Sequence, residues 1–367
     1  MLKKRASSQN IPTVVEEESP EPECQPIKEI ADELSNVTQD FCVKPPPINA
    51  TTRLISTGST LLDLAILGTR RKGGGVPGGI IIEIFGPHSA GKTALLMEMA
   101  ASVQARGGDV RFDDPEARLD REYAEIYGVQ LKTKNYYRPD TVKEMFRGLW
   151  GWEPKPIKKG AICMSGEDSL AALSTEMEME SEDKMGMKRA KDFSEGLRKT
   201  CRLIANNNWL IACTNQERDS MDGRATTPGG KGIPYYASLR IRITQDFANG
   251  KIKREKTIKG VKHENIMGIR CTAEIKKSSV DVPYRKAPIH IVFGLGIDDV
   301  RANLEWWKKT NGLSKYEAVD REFGSMEDAI KHIETNNLEP RLKEMVVDAW
   351  IELQEQLRID RKKKVRE

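Results

Sequence analysis

The chain has 367 residues, 38% of them hydrophobic, with a formal net charge of +4, and single domains commonly run ~100–200 residues, so one substantial core with smaller appendages is expected. No apolar run approaches the ~20 residues that span a bilayer, and the start MLKKRASSQNIPTVVEEE lacks the apolar centre of a signal peptide. Cys24, Cys42, Cys163, Cys201, Cys213 and Cys271 are scattered and form no CxxC pair, a spacing that suggests neither a disulfide framework nor a zinc site, so a soluble, cytoplasmic chain with reduced, buried thiols is expected.

Residues 1–25 are acidic and proline-bearing, a composition that cannot offset ordering entropy, so a disordered tail is predicted. Residues 26–49 follow as a helix and linker. IKEIADELSNV places Ile27, Ile30, Ala31 and Leu34 on one helical face, and Cys42-Val-Lys-Pro-Pro-Pro is extended. From about residue 50 the core begins. Gly79–Phe85 reads as a buried strand and Thr93–Arg106 as the helix after a glycine loop; further strands are predicted at Val110–Phe112, Ala161–Met164, Trp209–Thr214, Leu239–Ile243, Met267–Ile275 and Ile289–Phe293. Helical stretches between the early strands give an α/β fold with a mainly parallel twisted sheet, its later strands antiparallel. Residues 298–367 are charged and helical in pattern, and are expected to form a small separate C-terminal domain, helical or α/β. Much of the positive charge lies in Lys251–Lys262 (KIKREKTIKGVK) and in the basic end Arg361–Arg366.

The sequence Gly86-Pro87-His88-Ser89-Ala90-Gly91-Lys92-Thr93 fits G-x-x-x-x-G-K-T between a strand and a helix. Glycines there let backbone N–H groups wrap phosphate, Lys92 contacts the outer phosphates, and Thr93 ligates Mg²⁺. A nucleotide site also needs a carboxylate at a strand end to hold the metal. Asp168 is the candidate, with Glu167 as alternative, because Ser165, Gly166 and Glu167 interrupt the apolar approach. A second carboxylate beyond Val110–Phe112 would activate water; Glu116 lies there, and Asp113, Asp114 and Asp120 compete with it.

The stretches STGSTLLDLAILG (56–68), GPHSAGKT (86–93), FDDPEARLDREYAEIYGV (112–129), RPDTVKEM (138–145), EDSLAAL (167–173), TNQ (214–216), TTPGGKGIPYYASLRIRI (226–243) and KKSSVDVPYRKAPIHIVFGLGI (276–297) resemble the RecA family in order and approximate spacing. The resemblance covers roughly residues 50–300 and implies a RecA-like phosphate-loop ATPase core. It implies that Glu116 orients the attacking water, that Asp120 and Tyr123 meet the adenine, and that Gln216 senses the γ-phosphate and relays it to a DNA-binding loop. Lys277 matches the first of two lysines that reach a neighbouring subunit's ATP; Ser279 replaces the second, and Lys276 compensates.

Two polar segments resemble the family's DNA-binding loops, 179–191 and 217–231. Lys188, Arg189, Arg218, Arg224 and Lys231 would neutralise phosphates, and Met185, Met187 and Met221 would wedge between bases. Read alone, both are surface loops. The second is short and lacks an aromatic residue for base stacking. The resemblance implies an ATP- and Mg²⁺-dependent recombinase that forms helical filaments of its own copies on single-stranded DNA and invades duplex DNA, served by a recombination mediator or single-strand-binding protein. Alternatives are a hexameric RecA-like helicase or other DNA motor, and a non-catalytic mediator. The compact size and divergent second loop resemble bacteriophage recombinases of the UvsX kind, which would place the protein in a bacterial host's cytoplasm.

Overall fold

The computed structural model describes residues 53–176, 186–219, 225–246, 250–359 and 361. The predicted tail, the helix and linker of 26–49, Met185, Met221, Arg224 and the basic end beyond residue 361 lie outside the described residues.

Leu54–Ile55 (β1) pairs with Val76–Pro77 (β2) around the helix Thr60–Leu67 (α1), all eight of whose residues are buried. Ser59 caps α1 by accepting from the Leu62 N–H. Asp63 within it is buried and accepts from Ser56 Oγ at 2.6 Å and from the Thr57 N–H and hydroxyl at 2.8 Å. Burial pushes its carboxyl up to about 6, against the lowering effect of those hydrogen bonds.

Ile80–Gly86 (β3) is followed by Lys92–Ala105 (α2), Val110–Asp113 (β4), Arg121–Ile126 (α3), Tyr136–Tyr137 (β5), Val142–Trp150 (α4) and Cys163–Glu167 (β6). Next come Gly186–Asn207 (α5), Trp209–Gln216 (β7), the small hairpin Arg218–Asp219 (β8) and Ala225–Thr226 (β9), Gly232–Tyr236 (α6) and Leu239–Gln245 (β10). Strands β10, β3, β7, β6, β4 and β5 lie side by side and parallel, as the alternation of strand and helix predicts. Lys251–Ile258 (β11), Val261–Ser278 (β12), Lys286–Val292 (β13) and Gly296–Ile297 (β14) extend the sheet antiparallel from β10.

Because side chains alternate along a strand, the sheet feeds two hydrophobic clusters. Ile82 and Ile84 of β3 join Leu95, Leu96, Met97 and Val103 of α2, whereas Ile81 joins Phe146 of α4, Phe193 and Leu197 of α5, and Trp209 and Ile211 of β7. Trp152 is buried in the second cluster, and Trp306 and Trp307 pack against the first, while Trp150 stays partly exposed with its indole N–H on Thr200. Cys163, Cys213 and Cys271 are buried free thiols, and burial pushes Cys271 up to about 12.

After β14 come Asp299–Thr310 (α7), the hairpin Tyr316–Ala318 (β15) and Arg321–Phe323 (β16), Met326–Thr335 (α8) and Glu339–Gln356 (α9). This segment is α/β, and Ala302, Leu304, Val346 and Trp350 belong to the same hydrophobic cluster as α1 and α2.

Three expectations about elements change. The strand before Asp168 runs over Cys163–Glu167, so Ser165 and Gly166 lie inside it rather than interrupting it. Gly166 is there because a Cβ would stand 2.9 Å from the Phe112 ring, and the Ser165 hydroxyl satisfies itself on Glu167 at 2.7 Å. Residues 186–191 of the predicted first loop form the opening turns of α5, since Met-Lys-Arg-Ala-Lys are good helix formers and Phe193 and Leu197, four apart, anchor the helix. The basic stretch Lys251–Lys262 is a β-hairpin, and β12 is eighteen residues long, twice the predicted strand.

Candidate nucleotide and nucleic-acid site

The chain between β3 and α2 turns through positive φ at Gly86 (+149°), Ser89 (+57°) and Gly91 (+89°). A Cβ at Gly86 would fall 2.1 Å from the Ile243 carbonyl oxygen, so only glycine lets the loop leave the sheet here. Pro87, His88 and Ser89 are exposed and Ala90 is buried beneath them. No side chain caps α2, which leaves its first-turn N–H groups to a ligand. Lys92 Nζ donates to the carbonyls of Gly86 (3.1 Å) and Pro87 (2.7 Å), oxygens that stand in for phosphate oxygens, and burial lowers its pKa. These groups fit a nucleotide's phosphates.

Thr93 Oγ1 donates to Asp168 Oδ2 at 2.7 Å, and the Thr214 hydroxyl donates to the other oxygen of the same carboxylate. Burial pushes Asp168 upward, and the two hydroxyls oppose that shift. A hydroxyl and a carboxylate meeting at the start of α2 are hard oxygen ligands suited to Mg²⁺, which takes few protein ligands beside phosphate. Glu167 points to the opposite side of β6, towards Arg111 and Asp113, whose side chains pair at 2.7 Å; burial and the Asp113 carboxylate hold Glu167 protonated well above the usual range.

The neighbouring carboxylates separate by partner. Asp113 is committed to Arg111, and Asp114 accepts from the Tyr136 hydroxyl at 2.6 Å and the Leu119 N–H at 2.8 Å. Glu116 faces Asp168's strand end: Ser169 Oγ donates to it at 2.7 Å, and the exposed Arg118 guanidinium sits 2.9 Å from its other oxygen. Asp120 caps α3, and the hydroxyl of Tyr123 on that helix lies 2.9 Å from that of Tyr127.

Gln216 ends β7 directly opposite Gly86 in the parallel ladder, and the next N–H, of Glu217, donates to the Gly86 carbonyl at 3.1 Å. Glu217 in turn accepts from Arg242 at 2.9 Å. Buried Asn215 donates at 3.0 Å both to Glu83, the carboxylate paired with Arg240 at 2.5 Å, and to the Pro228 carbonyl beyond the β8–β9 hairpin. One strand end therefore touches the phosphate loop and the polar hairpin together.

Lys276 pairs with Glu274 at 2.9 Å, and Lys277 Nζ donates to the carbonyls of Pro234 and Tyr235. Lys277 is level with Arg240 and Glu83, three residues or roughly 10 Å below Gly86, so neither lysine joins this chain's own phosphate loop. Met187 is 90% exposed at the start of α5, where Lys188 also stands and Arg189 donates to the Leu173 carbonyl at 3.3 Å. Arg218 lies in β8, and exposed Lys231 immediately precedes α6. Sequence reasoning missed Thr214, Ser169, Arg118 and Asn215. Thr214 and Asn215 had a signal, as polar residues closing an otherwise apolar strand; Arg118 and Ser169 had none.

A model of the RecA N-terminal domain family matches residues 46–298. The protein RecA of Borreliella afzelii is 32% identical over 317 residues, which cover 82% of each chain. That of Thermus thermophilus is 34% identical over 253 residues, 67% of this chain and 69% of the relative, and that of Phytoplasma mali is 32% identical over 302 residues, 79% and 84% respectively.

Proposed function

The chain belongs to the RecA family, and from that premise we propose that it is a DNA-dependent ATPase of recombination and repair, which assembles on single-stranded DNA and exchanges strands with a homologous duplex. The observation that carries the reading is the meeting of Lys92, Thr93, Asp168, Glu116 and Gln216 at one end of the parallel sheet, with Gln216 opposite Gly86.

ATP with Mg²⁺ is the ligand assigned to this end. Lys92 moves from the Gly86 and Pro87 carbonyls to the outer phosphates, and the free N–H groups of α2 add their partial charge. Thr93 and Asp168 would hold the metal, whose charge would offset that developing on the phosphates. Glu116, held by Ser169, orients the attacking water. Asp120 and Tyr123 are assigned to the adenine. Gln216 ends the strand from which the second loop, with its β8–β9 hairpin, departs, which supports its role as the element that responds to the γ-phosphate and moves the DNA-contacting segment. Met187, Lys188, Arg189, Arg218 and Lys231, with Met185 and Arg224, are assigned to DNA. Lys276 and Lys277, remote from their own loop, are assigned to the nucleotide of an adjoining copy in a filament.

Measuring ATP turnover with and without single-stranded DNA tests this. The wild type is expected to be stimulated, and Glu116→Gln to lose about 10²–10⁴-fold in turnover while still binding nucleotide. No stimulation, no filaments on single strands by electron microscopy, or an indifferent Glu116→Gln would reject the reading.

A further inference from the structure

Between the loop that joins α1 to β2 and the end of α9 lies a cleft of about 660 Å³ that none of this chemistry uses. Its third wall is the turn between β12 and β13, which brings Val282 and Arg285. The walls are fastened to one another. Gly68 lies so close to Trp350 of α9 that a Cβ would stand 2.7 Å from the indole ring, and the Arg285 guanidinium sits 5.2 Å from the centre of that ring. Lys72 pairs with Asp348 at 2.7 Å, and Thr69 donates to Asp281 through its N–H at 3.2 Å and through its hydroxyl.

Charge inside the cleft is out of balance. Arg70, Arg71, Lys72, Arg285 and Arg358 line it, against Glu355 alone among the described residues. Asp348 and Asp281 match Lys72 and Arg285, but among the described residues no ion pair engages Arg70 or Arg358, both of them exposed. The sequence beyond, Arg361–Arg366, adds five Lys/Arg. Val282, Leu357 and Ile359 stand among these cations, 54%, 69% and 77% exposed. Singly exposed apolar side chains are ordinary, but three that line one cleft mark an interaction surface.

We propose that this cleft docks an acidic segment of a partner protein, its carboxylates on Arg70 and Arg358 and its apolar side chains on Val282, Leu357 and Ile359. A guanidinium offers a carboxylate two parallel N–H donors, a geometry that gives direction as well as attraction. Apolar side chains laid beside such a pair keep water away from it, so the pair is screened less than one on an open surface. Charge complementarity brings the segment in, and the apolar contacts hold it. Nucleic acid meets proteins mainly through phosphates held by cationic and polar groups, which would leave Val282, Leu357 and Ile359 without a complement, so the favoured occupant is a peptide.

The test uses the full chain and a fluorescein-labelled peptide of Asp and Glu residues carrying two Leu and one Phe, with affinity read by anisotropy. Arg70→Gln/Arg358→Gln is compared with Lys134→Gln/Lys158→Gln, which removes the same charge from exposed positions outside the cleft, and with Val282→Ser/Leu357→Ser, which keeps every charge. The arginine pair is expected to weaken peptide binding roughly tenfold or more and the apolar pair about fivefold, while the lysine pair stays within about twofold of wild type. Superimposable circular dichroism melts establish that all three fold. Failure of the wild type to bind the peptide, equal effects from the two charge pairs, or no effect of Val282→Ser/Leu357→Ser would overturn the proposal. A labelled DNA duplex that loses affinity to the same variants in the same proportions would overturn it in favour of nucleic acid. Sedimentation that shifts between wild type and Val282→Ser/Leu357→Ser without peptide would assign the cleft to a second copy of this chain instead.

Discussion

Ser169 Oγ donates to Glu116 Oε1 at 2.7 Å, from the residue immediately after Asp168. Two consecutive residues at one strand end thus hold the two carboxylates of the site, one directly and one through a hydroxyl. Ser169→Ala removes the donor without touching the phosphate loop. A hydrogen bond to a charged group contributes about 1.5–3 kcal/mol, and part of that orients Glu116. ATP turnover should fall about tenfold while nucleotide affinity stays within about twofold. Stopped-flow turnover set beside fluorescent-nucleotide titration separates the two, and a matching fall in affinity would contradict a positioning role.

Gly166→Ala tests the packing that places Asp168. The new Cβ would lie 2.9 Å from Phe112 Cε1 and 3.0 Å from Cδ1, and both residues sit in central strands that yield little. Overpacking of this kind costs about 1–3 kcal/mol. The urea midpoint should fall accordingly, and an unchanged midpoint would mean that the ring moves freely.

Asp63 makes stability depend on pH in an unusual direction. Its folded pKa, about 6, lies above the ordinary value of 3.8, so the folded state binds the proton more tightly. The stability this confers is fully present below about pH 4 and is lost as pH rises through 6. Across that window the wild type should lose up to about 3 kcal/mol relative to Asp63→Asn. Paired urea titrations at several pH values measure it, and parallel curves would refute the shift.

The parallel half of the fold was legible because its strands are continuous apolar runs separated by amphipathic helices, and the phosphate loop because its glycines have no other use at that spacing. The choice between Glu167 and Asp168 was not, because adjacent strand residues differ only in the side they face, and facing is set by neighbours such as Phe112 and Thr214 that come from other strands. No strand was read in the basic stretch Lys251–Lys262 for a similar reason. Its alternation is of charge rather than of hydrophobicity, so the usual strand signal is missing from KIKREKTIKGVK until its register with Val261–Ile269 is known.

That register skips once: Ile252 lies opposite Gly268, but Lys253 lies opposite Ile266, leaving Met267 as the extra residue of a bulge where the hairpin leaves the sheet. A bulge bends the strand that carries it and increases its local twist, whereas β11, which has no insertion, keeps its alternation of sides unbroken. The direction in which the hairpin leaves the sheet is thus set by one residue of β12 that faces no partner.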